Sequence, residues 1–297
     1  MTFPPWEGAA CRRNIQDKRV NDRPTSAVPG AGAQCALAIA LLAATALAPF
    51  SSPVRAAQAD AARGLEIARE MKARDRGFGD SSATMKMRLI DASGGENLRE
   101  LRVKTLEGKG DGDKLLAIFE APADVRGTVF LSHTHADRAD DQWLYLPALK
   151  RVKRIAPANK SSPFMGSEFS YEDLASAEVQ KYTYAYRGDE SHTGEARFLL
   201  ERVPVDAESG YSRQLVWVDK ERYVPLKIEY YDRRGEKLKT LTPQDYRQYL
   251  GRYWRAHEAR MENHQSGKHT ILLLNDIRFR QGLSEQDFVP ASMARAR

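Results

Sequence analysis

One group of side chains in this sequence could do chemistry by itself: His133, His135 and Asp137, at alternate positions after an apolar stretch. Histidine and carboxylate side chains are zinc ligands, and bound zinc lowers the pKa of a water enough to make it a nucleophile near neutral pH. His192 is a conceivable further ligand from a later part of the chain. One hypothesis is therefore a zinc-dependent hydrolase that uses these residues.

The context of this motif argues against that hypothesis. The dinuclear metallo-hydrolase signature that opens in this way continues with a histidine where this sequence has Arg138. Its fold alternates strands and helices, and no such alternation is visible here. A short motif in a foreign context is mostly coincidence. There is also no G-x-S-x-G turn and no phosphate-binding glycine loop. We expect a protein that is not an enzyme and needs no cofactor.

A second distinctive group is basic: Lys150, Arg151, Lys153 and Arg154 follow the turn at Pro147. Such a hairpin could contact anionic headgroups or an acidic partner, at about 1 kcal/mol per charge near a negative membrane surface. Most charge runs are simply a solvated face, and this alternative stays open. Acidic residues that could balance the hairpin, on a short helix predicted to be capped by Ser167, are Glu168, Glu172 and Asp173.

The elements that position these groups are mostly strands. Apolar spacing predicts one helix over 60–76, capped by Asp60 and stopped by Gly77. Beyond it the apolar period is two, and short turns containing glycine separate the runs. Strands joined in this way form an antiparallel sheet. About ten of them should curl into an incomplete barrel. We predict a single domain over 60–297.

Composition narrows the possible partners. The 297 residues include 46 Lys and Arg against 40 Asp and Glu, a net charge of +6. A protein that neutralises many phosphates is usually more basic and has its charge more clustered, so no nucleic-acid partner is expected. Nothing in the sequence indicates an oligomer, and we expect a monomer.

The N-terminal residues 1–59 resemble a removable leader. Residues 36–50 are uncharged and apolar, but a transmembrane helix needs about 20 such residues. Small-residue sites follow at 54–59, as in a cleavable secretory signal. Cys11 and Cys35 both precede these sites, so the mature chain would have neither disulfide nor thiol ligand. We predict export to the periplasm.

The most informative stretch is 143–174. It contains Trp-Leu-Tyr-Leu-Pro at 143–147, the basic hairpin, and Phe-Met-Gly-Ser-Glu-Phe-Ser-Tyr-Glu-Asp-Leu at 164–174. This run resembles the periplasmic outer-membrane lipoprotein-sorting proteins of the LolA-like superfamily, in the branch found beside RND or MMPL-type exporters. The resemblance implies an incomplete, strongly curved antiparallel half-barrel with a helical lid. It also implies a non-catalytic carrier of lipid or lipoprotein acyl chains, with such an exporter as a possible partner.

A carrier of this kind needs an apolar cavity, because exposing an acyl chain to water costs about 0.8 kcal/mol per CH₂. Methionine suits a pocket that accepts chains of varied shape. Apolar and aromatic side chains expected to line the cavity are Met85, Met87, Trp143, Tyr145, Phe164, Met165, Leu226 and Ile228. Each of them could instead be ordinary packed core. A third reading is a periplasmic scaffold subunit of an exporter, with a protein in the hollow.

Overall fold

The computed structural model describes residues 53–192 and 194–296. These residues hold one α-helix, α1 (Pro53–Asp75), followed by thirteen strands. The strands are β1 (Asp80–Ile90), β2 (Glu96–Leu106), β3 (Lys114–Ala121), β4 (Val129–His133), β5 (Asp141–Leu146), β6 (Arg151–Ile155), β7 (Tyr182–His192), β8 (Glu195–Pro204), β9 (Tyr211–Asp219), β10 (Pro225–Asp232), β11 (Lys237–Tyr249), β12 (Tyr253–Asn263) and β13 (His269–Phe279). Short 3-10 helices span Pro147–Leu149, Pro157–Asn159, Phe164–Gly166, Tyr171–Leu174, Val179–Lys181, Glu285–Phe288 and Pro290–Arg295.

Residues 1–52 of the predicted leader, which include both cysteines, fall outside the described residues, whereas residues 53–59 belong to α1. The signal peptide and the boundary at residue 60 therefore stay predictions. Among residues 53–192 and 194–296, no helix combines the length and apolarity needed to cross a bilayer.

All thirteen strands form one antiparallel sheet in the order β6-β5-β4-β3-β2-β1-β13-β12-β11-β10-β9-β8-β7. Paired strands follow one another in the chain, except that β1 pairs with β13. In this pair, Met85 lies opposite Leu274 and Met87 opposite Leu272. The sheet does not close, so β6 and β7 are its edges. It curves into a half-barrel whose concave face is covered by helices. The predicted fold class is confirmed, with thirteen strands where about ten were expected.

Alternation along the strands creates two apolar layers. In β3, Ala117 and Phe119 face inward, whereas Leu116 and Ile118 face outward. The inner cluster extends over the concave face from β1 to β13. The smaller outer cluster joins β3 and β4 to the C-terminal segment through Phe288 and Met293, which are fully buried.

Helix α1 covers part of the concave face. It buries Ile67 and Ala68 in the inner cluster. Gly64 allows a close approach to β7, because a Cβ there would lie 2.9 Å from the Tyr186 backbone nitrogen. The helix ends just before Gly77, whose φ of +97° favours glycine. The predicted N-cap is wrong: Asp60 lies inside the helix, which already includes residue 53.

Candidate functional site

A hollow remains on the concave side, with a volume of about 820 Å³. It lies between α1, the inner face of β7–β12 and the loops at 136–140 and 172–181. Its apolar wall includes Leu200, Val216, Ile228 and Leu241, with Met71 contributed by the helix. The volume is in the range of ligand-binding pockets, about 300–1,000 Å³. We take this hollow as the candidate site.

The other part of the concave face is filled by the chain itself. Residues 163–174, the plug segment, insert Phe164 between Phe130 and Phe119, with ring centroids 5.1 and 5.8 Å away. Tyr171 packs edge-on against Phe164 at 5.6 Å. Phe164 is 1% exposed. In front of β3 and β4, therefore, aromatic packing leaves no place for a ligand.

A buried ion pair ties the plug segment to the sheet. The Lys239 ammonium donates to Asp173 at 2.6 Å and to the Glu168 carbonyl at 2.9 Å. Both charged side chains are 4% exposed. The Tyr211 hydroxyl also donates to Asp173, at 2.8 Å. The predicted cap at Ser167 is wrong, because the turn at Tyr171–Leu174 starts from Ser170. Asp173 does not balance the basic hairpin, since it is buried and pairs with Lys239.

The floor of the hollow carries a line of polar side chains, the polar row. Tyr184, Arg202, Gln214 and Tyr230 are direct cross-strand neighbours on β7, β8, β9 and β10. All four line the hollow. The Arg202 Nε donates to the Gln214 Oε1 at 2.6 Å, and its guanidinium lies 4.6 Å from the Tyr182 ring centroid. The row therefore crosses an otherwise largely apolar surface.

The tyrosines of this row stay protonated. Burial raises the pKa of Tyr184 to about 12, and it raises that of Tyr230 well above its usual value. Neither hydroxyl forms a hydrogen bond among the described residues, where Arg197 Nε alone is fully buried without a partner, and both tyrosines line the hollow. A phenol near neutral pH is a hydrogen-bond donor. These two hydroxyls can donate to a bound molecule.

Ion pairs neutralise most of the charges around the hollow. Lys72 donates to Glu178 at 2.7 Å, and Arg222 donates to Asp219 at 2.7 Å. Further pairs at the rim are Lys181–Asp140, Lys160–Asp206 and Arg255–Asp75. Arg202 differs, since no carboxylate of the described chain lies within 4.0 Å of its guanidinium. The polar row therefore carries an uncompensated positive charge.

The predicted cavity residues separate into four groups. Ile228 lines the hollow. Met85, Met87, Phe164 and Met165 belong to the inner cluster. They do not line the hollow. These four residues therefore lie together in the packed core, where Phe164 and Met165 are part of the plug segment.

Trp143, Tyr145 and Leu226 were also expected at the cavity. Trp143 and Tyr145 pack in the outer cluster, against the C-terminal segment that carries Phe288. Placing them on the concave side was wrong, because residues 283–296 cover the convex face of β5. Leu226 is half-buried in β10 and does not line the hollow.

The basic hairpin lies at the β6 edge of the sheet. Arg151 and Lys153 are exposed along β6, Lys150 forms the turn, and Arg154 bonds to Asp141 on β5. The tip also exposes Leu149 (57%) and Val152 (40%). Its role as a contact surface stays a prediction.

The histidines of the His-x-His-x-Asp motif form separate contacts. His133 bonds through Nε2 to the Phe288 carbonyl at 2.7 Å. The imidazole of His135 lies between Asp111 (2.6 Å) and Asp141 (3.1 Å). Within residues 53–192 and 194–296, no three His, Cys, Asp or Glu side chains are grouped to hold a metal ion. Both histidines therefore have structural partners.

Sequence reasoning missed the polar row, although a signal for it exists. Phe198 and Leu200 occupy alternate positions of β8 that face inward, and Arg202 is the next residue on the same face. On β9, Gln214 is likewise a polar residue on the inward face that carries Val216 and Val218. A polar residue at an inward position of an apolar strand face marks a site worth examining.

The open antiparallel half-barrel is the fold of LolA-like proteins. A LolA superfamily protein from Nitrosomonas europaea shares this fold, with a TM-score of 0.61 and 23% identity over 77% of this chain and 97% of its own. A family model described as "Uncharacterized protein" matches residues 111–295. No curated protein is significantly similar to the chain.

Two further crystal structures are closer in sequence. One is described as an outer membrane lipoprotein-sorting protein domain from Vibrio parahaemolyticus, with 57% identity and a TM-score of 0.78 over 79% of this chain and 99% of its own. The other is a DUF1329 family protein from Desulfovibrio piger, with 30% identity and a TM-score of 0.75 at the same coverage. The chain belongs to the family of these outer-membrane lipoprotein-sorting and DUF1329 proteins. The predicted resemblance is confirmed.

Proposed function

We propose that this protein is a non-catalytic periplasmic carrier, which binds the acyl chains of a lipid or lipoprotein for transport toward the outer membrane. The hollow of about 820 Å³ between α1 and β7–β12 is the observation that carries the proposal. Family membership supports it, because one relative is described as a lipoprotein-sorting domain. The apolar wall would offset the cost of taking acyl chains out of the membrane.

The test begins with the protein purified after export, extracted with organic solvent and analysed by mass spectrometry. We expect stoichiometric acyl-containing molecules in the extract. A protein without any, which also binds no added amphiphile, would contradict the proposal. Co-purification of a protein partner with a lipid-free hollow would instead support the scaffold reading.

A pair of neighbouring substitutions locates the binding. Val216 faces the hollow, whereas Leu215 on the same strand faces the other side of the sheet. Val216→Trp should fill the hollow and remove bound acyl chains, and Leu215→Trp should leave them in place. Equal lipid content in the two variants would place the lipid elsewhere. Ile228→Phe is the smaller intrusion to use if Val216→Trp does not fold.

We further propose that an inner-membrane exporter of the RND or MMPL type hands over the cargo, and that the basic hairpin takes part in contact with a membrane or a partner. The hairpin supports this through its exposed Leu149 and Val152 beside three exposed basic side chains. Crosslinking from residue 152 in cells that express the exporter tests the first part. Crosslinks to other proteins alone would reject it.

A further inference from the structure

The polar row faces the hollow, and a cargo that covered it without bonding to it would bury its polar groups at a cost. Uncharged polar groups buried without a partner cost about 1–3 kcal/mol each, and unpaired charges cost more. The hydroxyls of Tyr184 and Tyr230 form no hydrogen bond among the described residues, and the Arg202 guanidinium has no carboxylate partner there; all three side chains line the hollow. An acyl chain alone would leave all three unsatisfied. The row is therefore mismatched to a purely apolar cargo.

The orientation of Arg202 is fixed, and part of its hydrogen-bonding capacity remains free. Gln214 accepts from Nε, and the Tyr182 ring holds one face of the guanidinium. Neither terminal nitrogen has a hydrogen-bond partner among the described residues. Two parallel N–H groups of arginine match the two oxygens of a carboxylate or phosphate. Tyr184 and Tyr230 flank this position in the row, each able to donate an O–H.

Neighbouring charges leave this position positive. Beyond Tyr230 the next cross-strand residue is Lys239, whose charge is balanced by Asp173. On the side of Tyr184, Glu178 is held by Lys72. Glu172 accepts from the Ser209 hydroxyl and the Gly210 amide, and burial raises its pKa. No neighbouring carboxylate therefore competes directly for the Arg202 guanidinium.

We propose that the cargo of the hollow is an amphiphile with a single anionic group, a carboxylate or a phosphate, which Arg202 binds with donors from Tyr184 and Tyr230. The acyl chain then lies along the apolar wall formed by Leu200, Val216 and Ile228. This inference rests on the proposed function and adds a headgroup to it. It places the polar end of the cargo inside the protein, on the floor of the sheet.

The test uses four probes with the same dodecyl chain: dodecanoate, dodecyl phosphate, 1-dodecanol and dodecyltrimethylammonium. Each is titrated calorimetrically into lipid-stripped full-length protein. We expect one or both anions to bind at least about tenfold more tightly than dodecanol, as a charge-assisted hydrogen bond predicts. Preference for dodecanoate would indicate a fatty-acid-like headgroup, and preference for dodecyl phosphate a phospholipid-like one. Equal affinities, or a preference for the cation, would overturn the inference.

Variants then assign the preference to the residue. Arg202→Gln should remove the anion preference by lowering the affinity for both anions to that for 1-dodecanol, and binding of 1-dodecanol that is still detectable shows that the hollow is intact. Arg202→Lys should retain part of the preference. Arg213→Gln is the control, since Arg213 stacks on Tyr231 on the other face of the adjacent strand. An anion preference that survives in Arg202→Gln contradicts the inference alone, whereas failure of wild type to bind any of the four probes contradicts the proposed function.

Discussion

The two halves of the concave face use the same sheet in different ways. In front of β3 and β4, the plug segment supplies Phe164 and Tyr171, which complete an aromatic core. In front of β7–β12, α1 spans the sheet and leaves a hollow of about 820 Å³. Strand alternation is alike in both halves. The two halves differ in the segment that covers the sheet. Whether the interior of a half-barrel is packed or hollow therefore depends on the loops and helices placed inside it.

The two halves should differ most in the unfolding free energy that is lost when a large apolar side chain is replaced by alanine. Phe164→Ala removes a fully buried ring from the filled half and should cost about 4 kcal/mol of unfolding free energy. Ile228→Ala removes a side chain that borders the hollow and already lacks neighbours on one side, so we expect a cost of less than about 2 kcal/mol. Urea unfolding of the lipid-stripped proteins measures both. Equal costs would mean that the hollow is packed like the other half.

The buried ion pair that joins the plug segment to the sheet gives the second prediction. Lys239→Met leaves Asp173 charged in a site where its side chain is 4% exposed, and should cost about 3 kcal/mol. The control is Lys86→Met, because Lys86 and Glu100 form an exposed pair at 3.7 Å that is worth about 0–1 kcal/mol. Urea unfolding at neutral pH compares them. Similar losses in both variants would show that the plug segment is not held by this contact.

Strand alternation explains why the fold could be predicted and the contents of the barrel could not. Met85 and Met87 lie on the apolar inner face, as the alternation of their neighbours indicates, but they do not line the hollow as predicted. Trp143 and Tyr145 carry the same local signal, but the segment around Phe288 that covers them is distant in sequence. Local pattern determines that a face is buried, and only tertiary packing determines what buries it.

Charged residues were the harder part of the site. Asp173 resembles a solvated surface acid in sequence, because its partner Lys239 lies on β11, far along the chain. Arg202 resembles an exposed charged residue of a strand, but it is two residues after Leu200 and therefore lies on the same, inward face. Arg202 interrupts the apolar pattern of the inner face, and Asp173 forms an ion pair with a residue on a distant strand. A sequence search that scores polar residues at inward positions would have found Arg202 but not the Lys239–Asp173 pair.

The loop between β4 and β5 borders both halves and gives a pH-dependent prediction. Burial opposes ionisation of Asp141, but hydrogen bonds from Arg154, Arg138 and His135 outweigh it and lower its pKa to about 2. A carboxyl with a pKa below its unfolded value stabilises the fold above about pH 4, and this contribution disappears as the pH falls toward 2. Asp141→Asn should therefore cost about 1–2 kcal/mol at neutral pH and progressively less in acid.

Urea unfolding between about pH 7 and pH 2 measures this difference. Asp137→Asn is the control in the same loop, since Asp137 forms no ion pair within the described part of the chain. A wild-type advantage over Asp141→Asn that stays constant down to pH 2 would show that Asp141 does not hold the loop through its charge.

The smallest expected effect per residue concerns the hairpin at the edge of the filled half. Lys150, Arg151 and Lys153 are exposed, and each should add about 1 kcal/mol to binding of vesicles with anionic lipid at low salt. Replacing the three by Gln should abolish vesicle binding without changing dodecanol affinity, because the hollow belongs to the other half. Flotation with anionic and neutral vesicles, at low and high salt, measures this. Loss of dodecanol binding in the same variant would show that the two halves do not work separately.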